Sequence, residues 1–122
     1  MAKTHNFIGI VYAKKKEYSK AISHLEQGIT IQKAVDDKNE LAISYQSIAS
    51  IYKEQEDYNR SVSFLNDAMK VYESSNDLRQ IALVQADLGE IYLQKKNYDS
   101  AAWYFTRSVE LNSQIGNKRN MA

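Results

Sequence analysis

The chain has 122 residues, with 16 basic and 15 acidic side chains for a net charge of +1, no cysteine, no proline and only 4 glycines. That balance gives no electrostatic basis for binding nucleic acid or an anionic membrane surface, and the missing cysteines exclude disulfides, thiolate metal sites and cysteine nucleophiles. With so little to interrupt a helix, and 43% apolar residues to form a core, the composition predicts a mostly helical domain.

The polar start, Met1-Ala2-Lys3-Thr4-His5, soon becomes amphipathic and does not resemble a secretory signal. No apolar run approaches the ~20 residues of a membrane span, and a cytoplasmic location is expected. A first helix is predicted from Ala2 to Lys15 and a second from Tyr18 to Val35. The third, Lys38 to Glu54, carries Leu41, Ile43, Tyr45, Ile48, Ile51 and Tyr52 mostly on one stripe. After the polar turn Lys53 to Asp57, a broader apolar face (Val62, Phe64, Leu65, Ala68, Met69, Tyr72) marks the fourth, Tyr58 to Ser74. The last two are expected over Leu78 to Lys95 and Tyr98 to Gln114.

The turns carry helix-start chemistry. Asp37 with Glu40, and Asp77 with Gln80, fit a capping box, and Asp57 and Asn97 stand where a cap is needed, with Glu17 at the same phase. Asn117 falls in phase with Asp37 and Asp77, so a turn near Gly116 and the first turn of a further helix over Lys118 to Ala122 are predicted. The chain would then be a piece of a longer array.

The strongest signal is self-similarity. Tyr12, Tyr52 and Tyr92 fall 40 apart, as do Tyr18, Tyr58 and Tyr98. Small residues keep that step at Gly9, Ala49 and Gly89 and at Ala21, Ser61 and Ala101, and large apolar residues keep it at Leu25, Leu65 and Phe105. A fixed period of this size marks a stacked array in which each unit buries its apolar face against its neighbours. The three helix-turn-helix units run over about 1–37, 38–77 and 78–117.

These residues resemble the tetratricopeptide repeat family, whose unit places a small residue three before a Tyr in the first helix and a small residue four before a large apolar one in the second. Gly9-Tyr12-Ala21-Leu25, Ala49-Tyr52-Ser61-Leu65 and Gly89-Tyr92-Ala101-Phe105 follow it. The departures are a period of 40 instead of about 34, a missing closing Pro, and Lys16, Glu56 and Lys96 in place of the turn glycine. The simplest source of the extra residues is a longer second helix and turn. The longer unit is similar to repeat regions of bacterial regulators and sensor proteins.

The resemblance implies an all-α, right-handed α-solenoid whose first helices line a concave groove for a peptide or partner helix. Carried over, the groove positions are Lys3, Asn6, Ile10 and Ala13, then Ile43, Gln46, Ser50 and Lys53, then Leu83, Ala86, Glu90 and Leu93. A solvated helix face is the alternative reading of the same positions. Members that clamp an acidic chaperone tail use basic residues where this chain has Leu83 and Asp87, so no such ligand is expected.

The tyrosines fit core packing better than a ligand belt. Lys14-Lys15-Lys16 is a basic run, but the matching place in the middle unit, Glu54-Gln55-Glu56, is acidic, so no continuous basic stripe forms. His5 and His24 are isolated and no metal or cofactor is expected, nor is there a phosphate loop or a nucleophile with a base at hand to suggest an enzyme. The function expected is a protein–protein interaction module within a larger regulatory or signalling protein. The alternative is a spacer or self-associating module, joined through an exposed end strip around Trp103, Ala102, Val109 and Ile115.

Overall fold

The structure, a computed structural model, describes residues 8–12, 14 and 16–121, with 117–121 described by backbone alone. All regular structure among the described residues is helical. Residues 8–12 and 14 belong to the first helix, α1, followed by α2 (Tyr18–Ala34), α3 (Lys38–Glu54), α4 (Tyr58–Ser74), α5 (Leu78–Gln94) and α6 (Tyr98–Met121).

The helices are metered by one turn used five times. Lys16, Asp36, Glu56, Asn76 and Lys96 follow at steps of 20 and all have left-handed backbone, with φ between 53° and 62°. At Glu56, for instance, its own N–H reaches the Lys53 carbonyl while the next N–H, of Asp57, reaches back to Tyr52. This pair of bonds satisfies carbonyls that the helix end leaves unpaired. The residue after each left-handed position starts the next helix. The Oδ1 atoms of Asp37, Asp57, Asp77 and Asn97 accept from the N–H groups of Glu40, Arg60, Gln80 and Ser100 at 3.3–3.4 Å. Glu17 makes no such cap; its longer side chain lies 4.0 Å from Lys20 Nζ instead.

Two expectations are corrected here. Helices α2 to α5 all have 17 residues. In the middle repeat the second helix is therefore no longer than the first. The predicted stop at Gln114 and cap at Asn117 are also absent, because α6 runs for 24 residues to Met121. Gly116 sits 20 residues after Lys96 but its φ is not positive. Residues 117–121 read Asn-Lys-Arg-Asn-Met and return no apolar stripe to α6. Continuing the helix adds a backbone hydrogen bond per residue.

The chain divides into two compact units, residues 1–71 and 72–122. In the first, Ala21 and Leu25 of α2 and Ile48 and Ile51 of α3 form a core with at most 3% exposure, flanked by Tyr12, Tyr18, Ile22, Ile29, Tyr52 and Phe64. Helix α2 packs on α3, and a buried polar pair joins them, with Ser44 Oγ donating to Gln32 Oε1 at 2.9 Å. The small-residue positions bring helices close. A Cβ on Gly9 would lie 2.8 Å from Leu25 Cγ. Ser61 stands on the small position of α4 and its hydroxyl donates to the Ala49 carbonyl at 2.7 Å.

In the second unit α5 packs on α6. Ala82, Val84, Leu88 and Ile91 on α5 and Ala101 on α6 are buried. A Cβ on Gly89 would meet the Phe105 ring at 2.9 Å, and Ser108 Oγ donates to the Ala82 carbonyl at 2.8 Å. The same contact of small residue against large apolar residue thus recurs in both units, with Leu25 in one and Phe105 in the other.

Candidate functional site

The first unit holds a cleft of about 220 Å³ lined by Ile10, Lys14, Leu25, Ser47, Ser50, Ile51 and Glu54. Its floor is apolar: Leu25 and Ile51 come from the buried core, and Ile10 stands beside them at 38% exposure. The rim is polar, with Ser47 and Ser50 on α3, Lys14 on α1 and Glu54 at the end of α3. One cation and one anion leave the rim without net charge.

Glu54 is anchored, since the Tyr18 hydroxyl donates to its Oε2 at 3.0 Å. This bond, reinforced by partial desolvation and by the carboxylate charge, holds the Tyr18 hydroxyl pKa above the ordinary tyrosine value.

Of the groove residues predicted in this unit, Ile10 and Ser50 come together in the cleft. Ile43 is exposed and Gln46 and Lys53 are half-buried, all three outside its lining. Lys3, Asn6 and Ala13 lie outside the described residues. Lys14, Ser47 and Glu54 escaped the sequence reading. Lys14 and Glu54 stand 40 apart and one helical turn beyond Ile10 and Ser50, so the repeat phase held the signal.

In the second unit Leu83 is exposed and lines a wider, shallower cleft with Arg79, Gln80, Asn112, Ile115 and Gly116. That cleft exists because α6 continues past residue 114 and carries Ile115 and Gly116 alongside α5. Ala86 is half-buried, and Glu90 and Leu93 are exposed, outside that cleft.

The tyrosines of the first helices are packing elements. Tyr12 stacks on His24 at 5.4 Å, Tyr52 on Phe64 at 5.7 Å and Tyr92 on Tyr104 at 5.5 Å between ring centroids. Residues 24, 64 and 104 keep the 40-residue step. His24 is thus the first ring of an aromatic series, a signal present in the sequence but hidden by the change of residue type. Lys20, Arg60 and Lys95 sit over the three tyrosines at 5.5–5.6 Å. Burial raises the Tyr104 pKa, and the neighbouring Tyr92 adds to it.

Trp103 and Val109, the expected end-strip residues, are 53% and 65% exposed. They differ in kind. Trp103 shares its phase with Ser23 and Ser63, which are exposed in their own helices. Its ring is dressed by Arg107 at 5.1 Å and by Tyr104 edge-on at 4.9 Å. Val109 shares its phase with Ile29 and Met69, both half-buried.

Among the described residues, no group of three or more His, Asp or Glu is placed to hold a metal ion. None of the described helices is long and apolar enough to cross a membrane.

An all-α series of helical hairpins joined by one recurrent turn at 20-residue steps defines a helical-repeat protein. Tetratricopeptide-repeat models match residues 1–74 and 83–115, and the chain belongs to the tetratricopeptide repeat family. No curated protein matches it by sequence. Among solved structures it is similar to aspartyl phosphate phosphatase F from Bacillus subtilis, with a TM-score of 0.88 and 19% identity over 94% of this chain and 30% of that one. It is similar to the N-terminal domain of stress-induced protein-1 from C. elegans, with a TM-score of 0.75 and 23% identity over 95% of this chain and 92% of that domain. A third likeness is to yeast Sti1 in the structure described as a TPR2AB-domain:pHSP90 complex, with a TM-score of 0.79 and 19% identity over 99% of this chain and 47% of that one. At these identities the likeness is one of fold, and the chain spans under a third of the phosphatase.

Proposed function

We propose that this chain is a protein–protein interaction module that seats an apolar side chain of a peptide or partner helix in the α1–α3 cleft, within a larger regulatory protein. Family membership supports the general role. The observation that carries the specific reading is the cleft's build, a floor of Ile10, Leu25 and Ile51 under a rim of Ser47, Ser50, Lys14 and Glu54. Its 220 Å³ falls below the ~300–1,000 Å³ of small-molecule sites. A side chain of leucine size suits it better than a free metabolite. The Ser47 hydroxyl donates to the Ile43 carbonyl at 3.0 Å, which leaves the Ser50 hydroxyl as the rim's donor to a ligand backbone, and the balanced rim favours a segment without strong net charge.

An acidic chaperone tail fits poorly. Leu83 and Asp87, on α5, offer such a carboxylate an apolar side chain and a like charge. The structural neighbour in complex with a pHSP90 segment therefore suggests a mode of binding, not a shared ligand.

Selection of a displayed random-peptide library on the chain, followed by calorimetry, tests the reading. Wild type should enrich peptides centred on a Leu, Ile or Phe without net charge. Ser50→Arg, an exposed change that fills the cleft, should weaken the selected peptide at least tenfold while leaving the circular dichroism unchanged. Enrichment of acidic tails, or peptides bound equally by Ser50→Arg, would sink it.

A further inference from the structure

Granted that the α1–α3 cleft binds a segment of a partner, we infer that this segment is extended and carries an apolar residue between an acidic and a basic one. Lys14 holds the acid, Glu54 holds the base, and Tyr18 is the residue that positions Glu54.

The argument turns on Glu54. It is the last residue of α3, where the negative end of the helix dipole disfavours a carboxylate. The repeat does not require an acid there, since the same phase carries Lys14 one period earlier and Gln94 one period later. Nor does core packing hold it, because Glu54 is exposed. What fixes it is the Tyr18 hydroxyl of α2, which donates to Oε2 at 3.0 Å. That bond occupies one carboxylate oxygen, and among the described residues nothing bonds the other. An exposed anion at an unfavourable helix end, oriented by a neighbouring helix and lining a cleft, is arranged to receive a cation.

Lys14 supplies the opposite charge. Lys14 and Glu54 each stand two residues before a left-handed turn residue, Lys16 and Glu56. They therefore come from matching levels of α1 and α3, one on each side of the cleft. Among the described residues no ion pair joins them, so each is left to pair with a ligand. Packed helices lie ~8–10 Å apart, and an extended segment advances ~3.3 Å per residue. A segment crossing from α1 to α3 thus sets its acid and its base about three positions apart, with the apolar anchor between them. Extension follows from Ser50, whose rim hydroxyl meets a free backbone group on an extended segment but not on a helix, which pairs its own.

Selection of a displayed random-peptide library on the whole chain comes first. Calorimetry follows, on the enriched peptide and on versions with Gln in place of its base or its acid. Wild type should enrich apolar-centred peptides with opposite charges on the two sides. Each Gln replacement should weaken binding about two- to fivefold at low salt, the worth of an exposed ion pair. Glu54→Gln should abolish the effect of the peptide's base and keep that of its acid, and Lys14→Gln should do the reverse. Tyr18→Phe should shrink the effect of the base alone. A merely structural role for Tyr18 would weaken every peptide alike, and that result would remove it as a positioning residue. Apolar-centred peptides that enrich without paired charges, or a base whose effect survives Glu54→Gln, would overturn the inference and leave the apolar seat standing. If no apolar-centred peptide enriches, the seat is wrong and the inference falls with it.

Discussion

Helices α2 and α6 hold the same place in two hairpins but end differently. Helix α2 stops after 17 residues at Asp36, an aspartate forced into left-handed backbone with φ 56°. Helix α6 runs on for 24 residues through Gly116, the residue best suited to that backbone and standing in the matching register. The cheaper turn residue is the one that does not turn. Left-handed backbone costs a non-glycine residue roughly 1–2 kcal/mol, and what offsets it at Asp36 is the packing of α3 back onto α2. At Asp36 the packing of the following helix thus outweighs the intrinsic cost of the turn residue.

The largest test of that contrast removes the packing. Leu25 is fully buried between α2 and α3, and Leu25→Ala should destabilise the fold by ~2–5 kcal/mol in urea unfolding. A loss under ~1 kcal/mol would mean the α2–α3 contact does not hold the turn.

A smaller test acts on the turns themselves. Asp36→Gly should stabilise the chain by about 1 kcal/mol, since strain is relieved at an exposed side chain while the unfolded chain gains freedom. Gly116→Ala should also stabilise, by up to ~1 kcal/mol, through helix propensity; nothing lies within 4 Å of the added Cβ. If Gly116→Ala is instead destabilising, Gly116 turns the chain and α6 does not continue through it.

The smallest effect is in pH. The Tyr18 and Tyr104 pKa values are raised above the ordinary 10.0, the first chiefly by its bond to Glu54 and the second by burial. A raised folded-state pKa gives stability that is full below the unfolded value and is lost as pH rises through the folded one. The melting temperature should therefore fall as pH passes above about 10, and Tyr18→Phe should flatten part of that fall. An equal slope in the variant would remove Tyr18 from the account.

The cleft was half legible. Ile10 and Ser50 follow from the family's groove positions, but Lys14 read as a solvated basic turn and Glu54 as its acidic echo. Their meeting on one rim depends on how α1 and α3 lie side by side, which local sequence does not encode. His24 read as isolated because periodicity was sought in residue type, while the structure conserves ring shape: imidazole, phenyl and phenol fill one stacking position.

By itself the sequence determined the helices, their phase and their packing faces, because a strict period of small and large apolar residues leaves one register in which every hairpin closes. It also determined the starts of helices, since capping is a contact between residues three apart. Only the tertiary structure decided that α6 continues through Gly116 and which polar residues ring the cleft. Those depend on contacts between residues far apart in the chain, which the phase of the repeat does not specify.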